Sequence, residues 1–414
     1  MVAMNNTYIY VVGKSFAQGK IPEHIRSLGY KAGLLADRRI ASESTEGYDR
    51  IEQLDFADLE SEIQRLESSE LQAAGFYCIY ENYIVPKAIL AESLGLPSPT
   101  VESAHLSTDK IRMREAFLAN SPEVTPQYSE ISSIEEAVEF AEKYGFPVII
   151  KPANLVKSLL IMRCNSLQEL QTSFEYAQRS IDELYKKYGV HDCEPRLLVE
   201  EFVVGKQYTI AALVDHEGTP HFCDGIVDIT TAQDIGADDT YLFRRAVPSR
   251  ASTQVQKSLF NTARKGLKSL GLHSSAAHIE LIYSKNGPKI VEIGARTGGY
   301  RPRMYQFAYG IDLIEQELKI SLGEKPHLAG DINKNCAVYE FFPKTQGSFA
   351  SVENMIDADS ITYLKVKAAP GDLIGPAREG FKATIVAIVA EEEQSRFNKL
   401  CEKVESMKVR VGQS

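Results

Sequence analysis

Through the first hundred residues, short apolar runs alternate with stretches of helical spacing. The runs "YIYVVG" (8–13), "AGLLAD" (32–37) and "GFYCIYE" (75–81) are joined by an amphipathic stretch near 18–28 and followed by a helical pattern reaching Leu94. That rhythm predicts a parallel sheet with crossover helices. Gly13 and Gly19 follow the first strand without completing G-x-G-x-x-G, so the simpler reading is a strand-to-helix turn rather than a dinucleotide site. A connector, "GLPSPT" (95–100), leads to "STDKIRMREAFL" (107–118), a helix with Ser107 or Thr108 as its cap. Between 125 and 205, a helix (134–144), strands at 146–153 and 158–164, a long helix (166–188) and a strand (196–203) make a compact α+β module. Strands at 207–215 and 221–230, a helix near 251–270 and a hairpin around 278–296 predict a second, mostly antiparallel sheet. After "GEKP" (323–326) come short strands, the Gly/Pro-rich "AAPGDLIGPAREG" (368–380) and a closing helix near 391–407.

The hairpin "HIELIYSKNGPKIVEIGARTGGY" (278–300) places two glutamates and an arginine among apolar residues. A three-residue Lys285-Asn286-Gly287 turn sets Ser284 opposite Pro288, and the same register sets Glu280 opposite Glu292. The strand period of two then gives Glu292, Gly294 and Arg296 one face, and Val291, Ile293 and Ala295 the other. Opposed carboxylates repel unless a cation bridges them, and hard oxygens on adjacent strands suit Mg²⁺ held together with substrate phosphates. The competing reading is a solvated sheet face whose glutamates pair with lysines.

Composition narrows the picture. With 414 residues, 44% hydrophobic and 25% charged, the chain has the length for several lobes and the balance of a folded globular protein. A net charge of −10 disfavours sequence-independent binding of nucleic acid or of an anionic membrane. The six cysteines are scattered without C-x-x-C, which suggests reduced thiols rather than a zinc site or a disulfide framework. Neither a signal-like N-terminus nor a membrane-length apolar run is evident, so the expected location is cytoplasmic.

Two lysines are placed for phosphate. Lys151 closes the strand "FPVIIK", and Lys110 lies at the start of the helix 107–118; each reads equally as a surface lysine. In "LLVEEFVVGKQYTI" (197–210), Glu200 ends an apolar series and a link with Gly205 joins two strands. Such a hinge can offer backbone groups to an adenine edge and Gln207 to a sugar hydroxyl, or it is a plain linker.

The order of "DK" (Asp109, Lys110), "IIKP" (149–152), "VEEFVVG" (199–205), "HIEL" (278–281) and "VEIGAR" (291–296) resembles the ATP-grasp superfamily across nearly the whole chain. The resemblance implies an ATP-grasp fold of mixed α/β and α+β class. Its expected parts are an N-terminal parallel α/β domain (1–106), a linking helix (107–124), a mobile ATP lid (125–205), an antiparallel-sheet catalytic core (206–330) and a C-terminal subdomain (331–414). It implies that Lys110 and Lys151 contact ATP phosphates, that Glu200 and the backbone of Phe202 and Val203 receive adenine, and that Gln207 stands where a ribose-binding glutamate is usual. Glu280 and Glu292 match the pair that holds Mg²⁺, or Mn²⁺ in its place, and Arg296 matches the arginine steadying the transferring phosphoryl group. Two departures stand out. The phosphate loop reads "ANLVKS" (153–158), keeping Ser158 but putting Leu155 and Lys157 where glycines are usual, and Gly294 replaces a metal-binding asparagine.

Within the superfamily, "EIGARTGGY" is most similar to the L-amino-acid ligases, which make dipeptides and related amides from small carboxylate and amine substrates. Tyr300, eight residues after Glu292, would gate the amino-acid pocket beside Gly298 and Gly299, or would simply pack in a core. Arg301 and Arg303 would aid carboxylate binding or be solvated, and Glu81, at the end of a parallel strand, would hold a substrate ammonium. The implied reaction phosphorylates a carboxylate with ATP and lets an amine displace phosphate, inside a lid that excludes water. The competing functions are a carboxylase acting on bicarbonate and a catalytically silent nucleotide-binding protein. Homodimers are common among related enzymes.

Overall fold

The computed structural model describes residues 6–14, 20–39, 45–69, 71–155, 159–188, 190, 193–223, 225–239, 241–328, 330–331 and 333–412. The N-terminal sheet is parallel, with strands ordered Arg50–Leu54, Lys31–Asp37, Tyr8–Gly13 and Ala73–Tyr77. Sequence order reverses at Tyr8–Gly13, and its carboxyl end with that of Ala73–Tyr77 forms the crevice where open sheets accept ligands. Gly13 has φ +89°, and a Cβ there would lie 2.2 Å from the Tyr83 ring, so glycine is required at this turn. Gly19 lies outside the described residues.

The linking region holds two helices, Val101–Thr108 and Lys110–Asn120, and the cap of the second is Asp109, not Ser107 or Thr108. The Asp109 carboxylate accepts from the N–H groups of Ile111 and Arg112. Ser107 and Thr108 close the preceding helix instead; "STD" offers three capping side chains in a row, and only Asp109 has the extended backbone a cap requires.

The module that follows is a four-stranded antiparallel sheet ordered Tyr128–Ile131, Leu197–Glu201, Val148–Pro152 and Met162–Cys164. Helices Ile134–Tyr144 and Leu167–Tyr188 pack against it through Phe140, Phe174 and Ile181. The expected strand 158–164 is shorter, beginning at Met162, and residues 156–158 lie outside the described ones.

The largest sheet has nine strands. Its path runs Gly287–Gly294, Ser275–Ser284, Gly205–Val214, Val227–Thr231, Leu242–Val247, Asn335–Phe341, Ile385–Glu391 and Tyr363–Val366, with Pro220–Phe222 also paired to Gly205–Val214. Every pairing in it is antiparallel. The single strand expected over 221–230 divides into Pro220–Phe222 and Val227–Thr231. Between them the Gly225 carbonyl accepts from the Tyr305 hydroxyl, and a Cβ at Gly225 would lie 2.4 Å from the Tyr309 oxygen, so packing draws the chain off the ladder.

One face of this sheet carries helix Thr253–Ser269, whose Leu259, Ala263 and Leu267 recur at helical spacing in the main core. Each buried leucine contributes about 1.5–3 kcal/mol. Gly266 brings that helix onto Ile290 and Ile293, where a Cβ would lie 2.3 Å from the nearer side chain. The opposite face is covered by helices Arg301–Tyr309 and Leu313–Ser321 through Met304, Tyr305 and Ile320. The hairpin carrying the glutamates is therefore clamped by a packed core on its apolar side.

Candidate active site

The hairpin turns more tightly than its sequence suggests. Ser284 pairs with Gly287, leaving a two-residue Lys285-Asn286 loop instead of the expected three, and Gly287 has φ +95°. Pairing continues from Tyr283↔Pro288 to Leu281↔Ile290, one residue out of the expected register. A bulge then inserts Val291, and beyond it Glu280 stands opposite Glu292, as expected. Val291 consequently leaves the core face it was expected to share with Ile293 and Ala295, and Ile290 takes that place. Across the next strand Glu280 also pairs with Thr209, so 292, 280 and 209 form a row over three strands.

Lys110, Lys151 and Arg296 each lie within reach of an acid. Lys110 Nζ lies 3.4 Å from Glu292 Oε1 and donates to the Leu155 carbonyl at 3.2 Å, tying the helix start and the phosphate loop to the hairpin. Lys151 Nζ lies 2.7 Å from Glu200 Oε2, and the other oxygen of Glu200 accepts from Arg114 Nε at 2.8 Å. All three of these side chains are buried. Burial pushes the Lys151 ammonium down to about 8 against the pull of Glu200. Burial alone would raise Glu200, but Arg114 and Lys151 overcome it and hold the carboxyl below its usual range.

Arg296 Nε donates to Glu81 Oε2 at 2.7 Å. Gly294 accommodates that pair: a Cβ at 294 would lie 3.2 Å from the same Glu81 oxygen. The space an asparagine side chain would need is thus filled by a carboxylate from the turn after strand Ala73–Tyr77: the strand stops short of the expected Glu81, which opens the short helix Glu81–Tyr83. Burial raises the Glu81 carboxyl although Arg296 opposes it. Behind the arginine, the Thr297 hydroxyl donates to Glu317 at 2.7 Å.

Gly298 lies against His278, where a Cβ would be 2.6 Å from ring Nδ1, and Gly299 borders open space. His278 Nε2 is 3.3 Å from Glu280 Oε1. Burial lowers the imidazole against the pull of Glu280; burial alone would raise the Glu280 carboxyl, but His278, Arg301 and Arg296 hold it down to about 2. Tyr300 packs on the second core; its hydroxyl donates to Glu340 at 2.9 Å and the Arg245 guanidinium lies 5.2 Å from its ring. Arg301 is not solvated: it is 2% exposed and donates to the Thr209 hydroxyl at 2.6 Å. Arg303 lies over the Tyr363 ring at 5.0 Å.

At the hinge, the Phe202 amide donates to the Pro147 carbonyl at 3.2 Å and the Arg163 guanidinium covers the Phe202 ring at 4.2 Å. Gly205 passes so close to the hairpin that a Cβ would lie 2.2 Å from the Tyr283 carbonyl oxygen. Gln207 is half-buried opposite Ile282. Ser158 and Lys157 lie outside the described residues. Among the described residues no group of three acids, histidines or cysteines is close enough to hold a metal alone. Sequence reading missed Arg114, His278, Arg245, Glu317 and Glu340. Arg114 had a signal, standing one helical turn after Lys110 on a face that is otherwise apolar.

Residues 144–302 match the ATP-grasp domain family. The alanine–anticapsin ligase of Bacillus subtilis strain 168 is 24% identical over 262 residues, 58% of this chain and 52% of the relative. The chain spans about half to two thirds of the length of the curated relatives it matches. Among solved structures, the L-amino acid ligase from Bacillus licheniformis aligns with a TM-score of 0.81 at 17% identity, covering 99% of both chains. The biotin carboxylase domain of a Hydrogenobacter thermophilus 2-oxoglutarate carboxylase aligns with a TM-score of 0.68 at 17% identity, covering 98% of this chain and 90% of the other.

Proposed function

Because the chain carries an ATP-grasp domain within an ATP-grasp fold, we propose that it is an ADP-forming carboxylate–amine ligase. The observation that carries this reading is the convergence of Lys110, Glu292, Glu280, Arg296 and Glu81 on one sheet face, with Lys151 and Glu200 behind the hinge. The carboxylate of one substrate attacks the terminal phosphate of ATP, breaking its bond to the β-phosphate to give an acyl phosphate and ADP; an amine then attacks the acyl carbon, forming the C–N bond, losing a proton and expelling phosphate. Such chemistry is mainly positioning and charge stabilisation, which is what two buried lysines and a half-buried arginine facing carboxylates supply. Lys110 and Lys151 steady the phosphates, and Arg296 steadies the transferring group. Glu280 and Glu292 offer hard carboxylate oxygens from adjacent strands and fit Mg²⁺, which would neutralise phosphate charge there. With the Phe202 amide committed to Pro147, an adenine edge meets the Phe202 carbonyl and Val203, while Glu200 and Gln207 contact the base and the sugar. Tyr300 borders the amino-acid side of the site.

The similarity to an L-amino acid ligase and to an alanine–anticapsin ligase supports amino acids as substrates. The test is Mg·ATP with amino acids singly and in pairs, reading ADP, phosphate and product mass. ADP with a product of summed mass less water is the expected result. ADP release driven by bicarbonate would establish the carboxylase reading suggested by the likeness to a biotin carboxylase domain. Glu292→Gln is expected to abolish ADP formation while leaving the melting temperature close to that of the parent; retained turnover would remove Glu292 from the metal site.

A further inference from the structure

Helix Leu313–Ser321 is seated against the N-terminal lobe at both ends. His24 Nε2 lies 2.8 Å from Oδ2 of the cap residue Asp312, and a Cβ at Gly75 would lie 2.7 Å from the Ser321 carbonyl oxygen. Leu318 enters the core of the N-terminal sheet, while Leu313 and Ile320 enter the core under the nine-stranded sheet. Between these apolar anchors the helix buries an acid. Glu317 is 7% exposed and forms no ion pair among the described residues. A buried carboxylate costs stability that a leucine in its place would not, so packing does not account for it. Its contact is Thr297, which is bonded in two directions. The Thr297 hydroxyl donates to Glu317 Oε2 at 2.7 Å, and the Thr297 carbonyl accepts from Arg296 Nη1 at 3.2 Å. On the far side of the guanidinium, Arg296 Nε meets Glu81 Oε2 at 2.7 Å. One carboxylate thus fixes the arginine directly, and a second fixes it through the threonine.

We infer that Glu317 is a positioning residue for Arg296: it seats Thr297, and Thr297 holds the guanidinium against Glu81. The catalytic meaning rests on the ligase reading, in which Arg296 steadies the transferring group; the positioning does not. Charge strengthens the hold, because an ionised acceptor binds a hydroxyl about twice as strongly as a neutral one. The groups that act on Glu317 or are acted on by it are Tyr77 and Cys78 at the end of strand Ala73–Tyr77, Lys87 of helix Ile84–Ser93, and Arg296. Burial pushes Tyr77 and Cys78 up, so both stay uncharged at neutral pH, and it lowers the Lys87 ammonium. Glu317, raised by burial to about 7, is the member of the group that ionises as pH rises through neutrality.

The test follows modification of Arg296 by phenylglyoxal through peptide mass spectrometry. Its rate is taken as a ratio to that of Arg112, which is exposed and makes no ion pair among the described residues. The Arg296 side chain is 24% exposed, so the reagent reaches it, and a guanidinium held in hydrogen bonds reacts slowly. In the parent the ratio is expected to fall several-fold between about pH 6 and pH 8, as Glu317 ionises and tightens its hold. In Glu317→Gln it should keep its low-pH value throughout. At pH 8, Thr297→Val should raise the ratio roughly tenfold, the effect of losing one charge-assisted hydrogen bond, and Thr297→Ser should restore the parent value. With a substrate pair that yields ADP, kcat in Thr297→Val should fall by a similar factor while the KM for ATP stays within about twofold. The same ratios in a protein that forms no ADP with any pair keep the positioning and remove the ligase reading. A ratio unchanged in both Glu317→Gln and Thr297→Val, or raised in Thr297→Val without recovery in Thr297→Ser, overturns the inference.

Discussion

Glu317 sits behind the arginine loop, accepting from the Thr297 hydroxyl, and burial pushes its carboxyl up to about 7 against Thr297, Lys87 and Arg296. An ordinary glutamate titrates near 4.5, so between 4.5 and 7 the folded chain keeps a proton that the unfolded chain has released. The stability this group contributes is complete below about 4.5 and is lost as pH rises through 7, at most about 3 kcal/mol in all. Glu317→Gln keeps the shape without the charge. Its melting temperature is expected to gain on the parent between pH 5 and 8, and parallel curves from thermal melts would refute the assignment. Such partners were invisible in the sequence for a physical reason. Motif order identified Lys110, Lys151, Glu280, Glu292 and Arg296, but Arg296 finds Glu81 215 positions away and Arg114 finds Glu200 86 positions away. Periodicity tells which face a side chain takes and nothing of what comes to meet it.

At the level of elements, the alternating and helical patterns gave the strands and helices well, and their errors fell at ends and turns. The capping error arose from three adjacent capping residues, and the strand at 221–230 broke where Gly225 packs under two tyrosines. In the hairpin the expected turn was one residue too long, and the bulge at Val291 restored the pairing of Glu280 with Glu292. That bulge leaves the Val291 carbonyl accepting from Arg114 Nη2 at 2.6 Å. Deleting Val291 should therefore keep the two glutamates opposed, because Glu292 then follows Ile290 directly in a regular ladder. The Mg²⁺ concentration for half-maximal ADP release is expected to stay within about twofold, while the arginine loses one acceptor and stability falls by about 1–3 kcal/mol. Urea unfolding and metal titration check both parts, and loss of the metal response would show that the bulge itself positions Glu292.

For the molecule as a whole, Arg114 joins three regions: it stands on helix Lys110–Asn120, grips Glu200 of the four-stranded sheet and bonds to Val291 of the glutamate hairpin. Removing it leaves Glu200 with Lys151 as its remaining ion-pair partner. Arg114→Met is expected to cost about 3–5 kcal/mol, the usual effect of breaking a buried ion pair from one side. It should also raise the KM for ATP, because the hinge acid loses its anchor; a variant unfolding within 1 kcal/mol of the parent would show that the guanidinium only fills space. The Glu81 carboxylate occupying the room left by Gly294 bears on modularity. A catalytic sheet transplanted without its N-terminal neighbour would carry a void at 294 and an arginine at 296 stripped of its counter-charge. The segment that supplies Glu81 therefore has to accompany the sheet for Arg296 to keep its counter-charge.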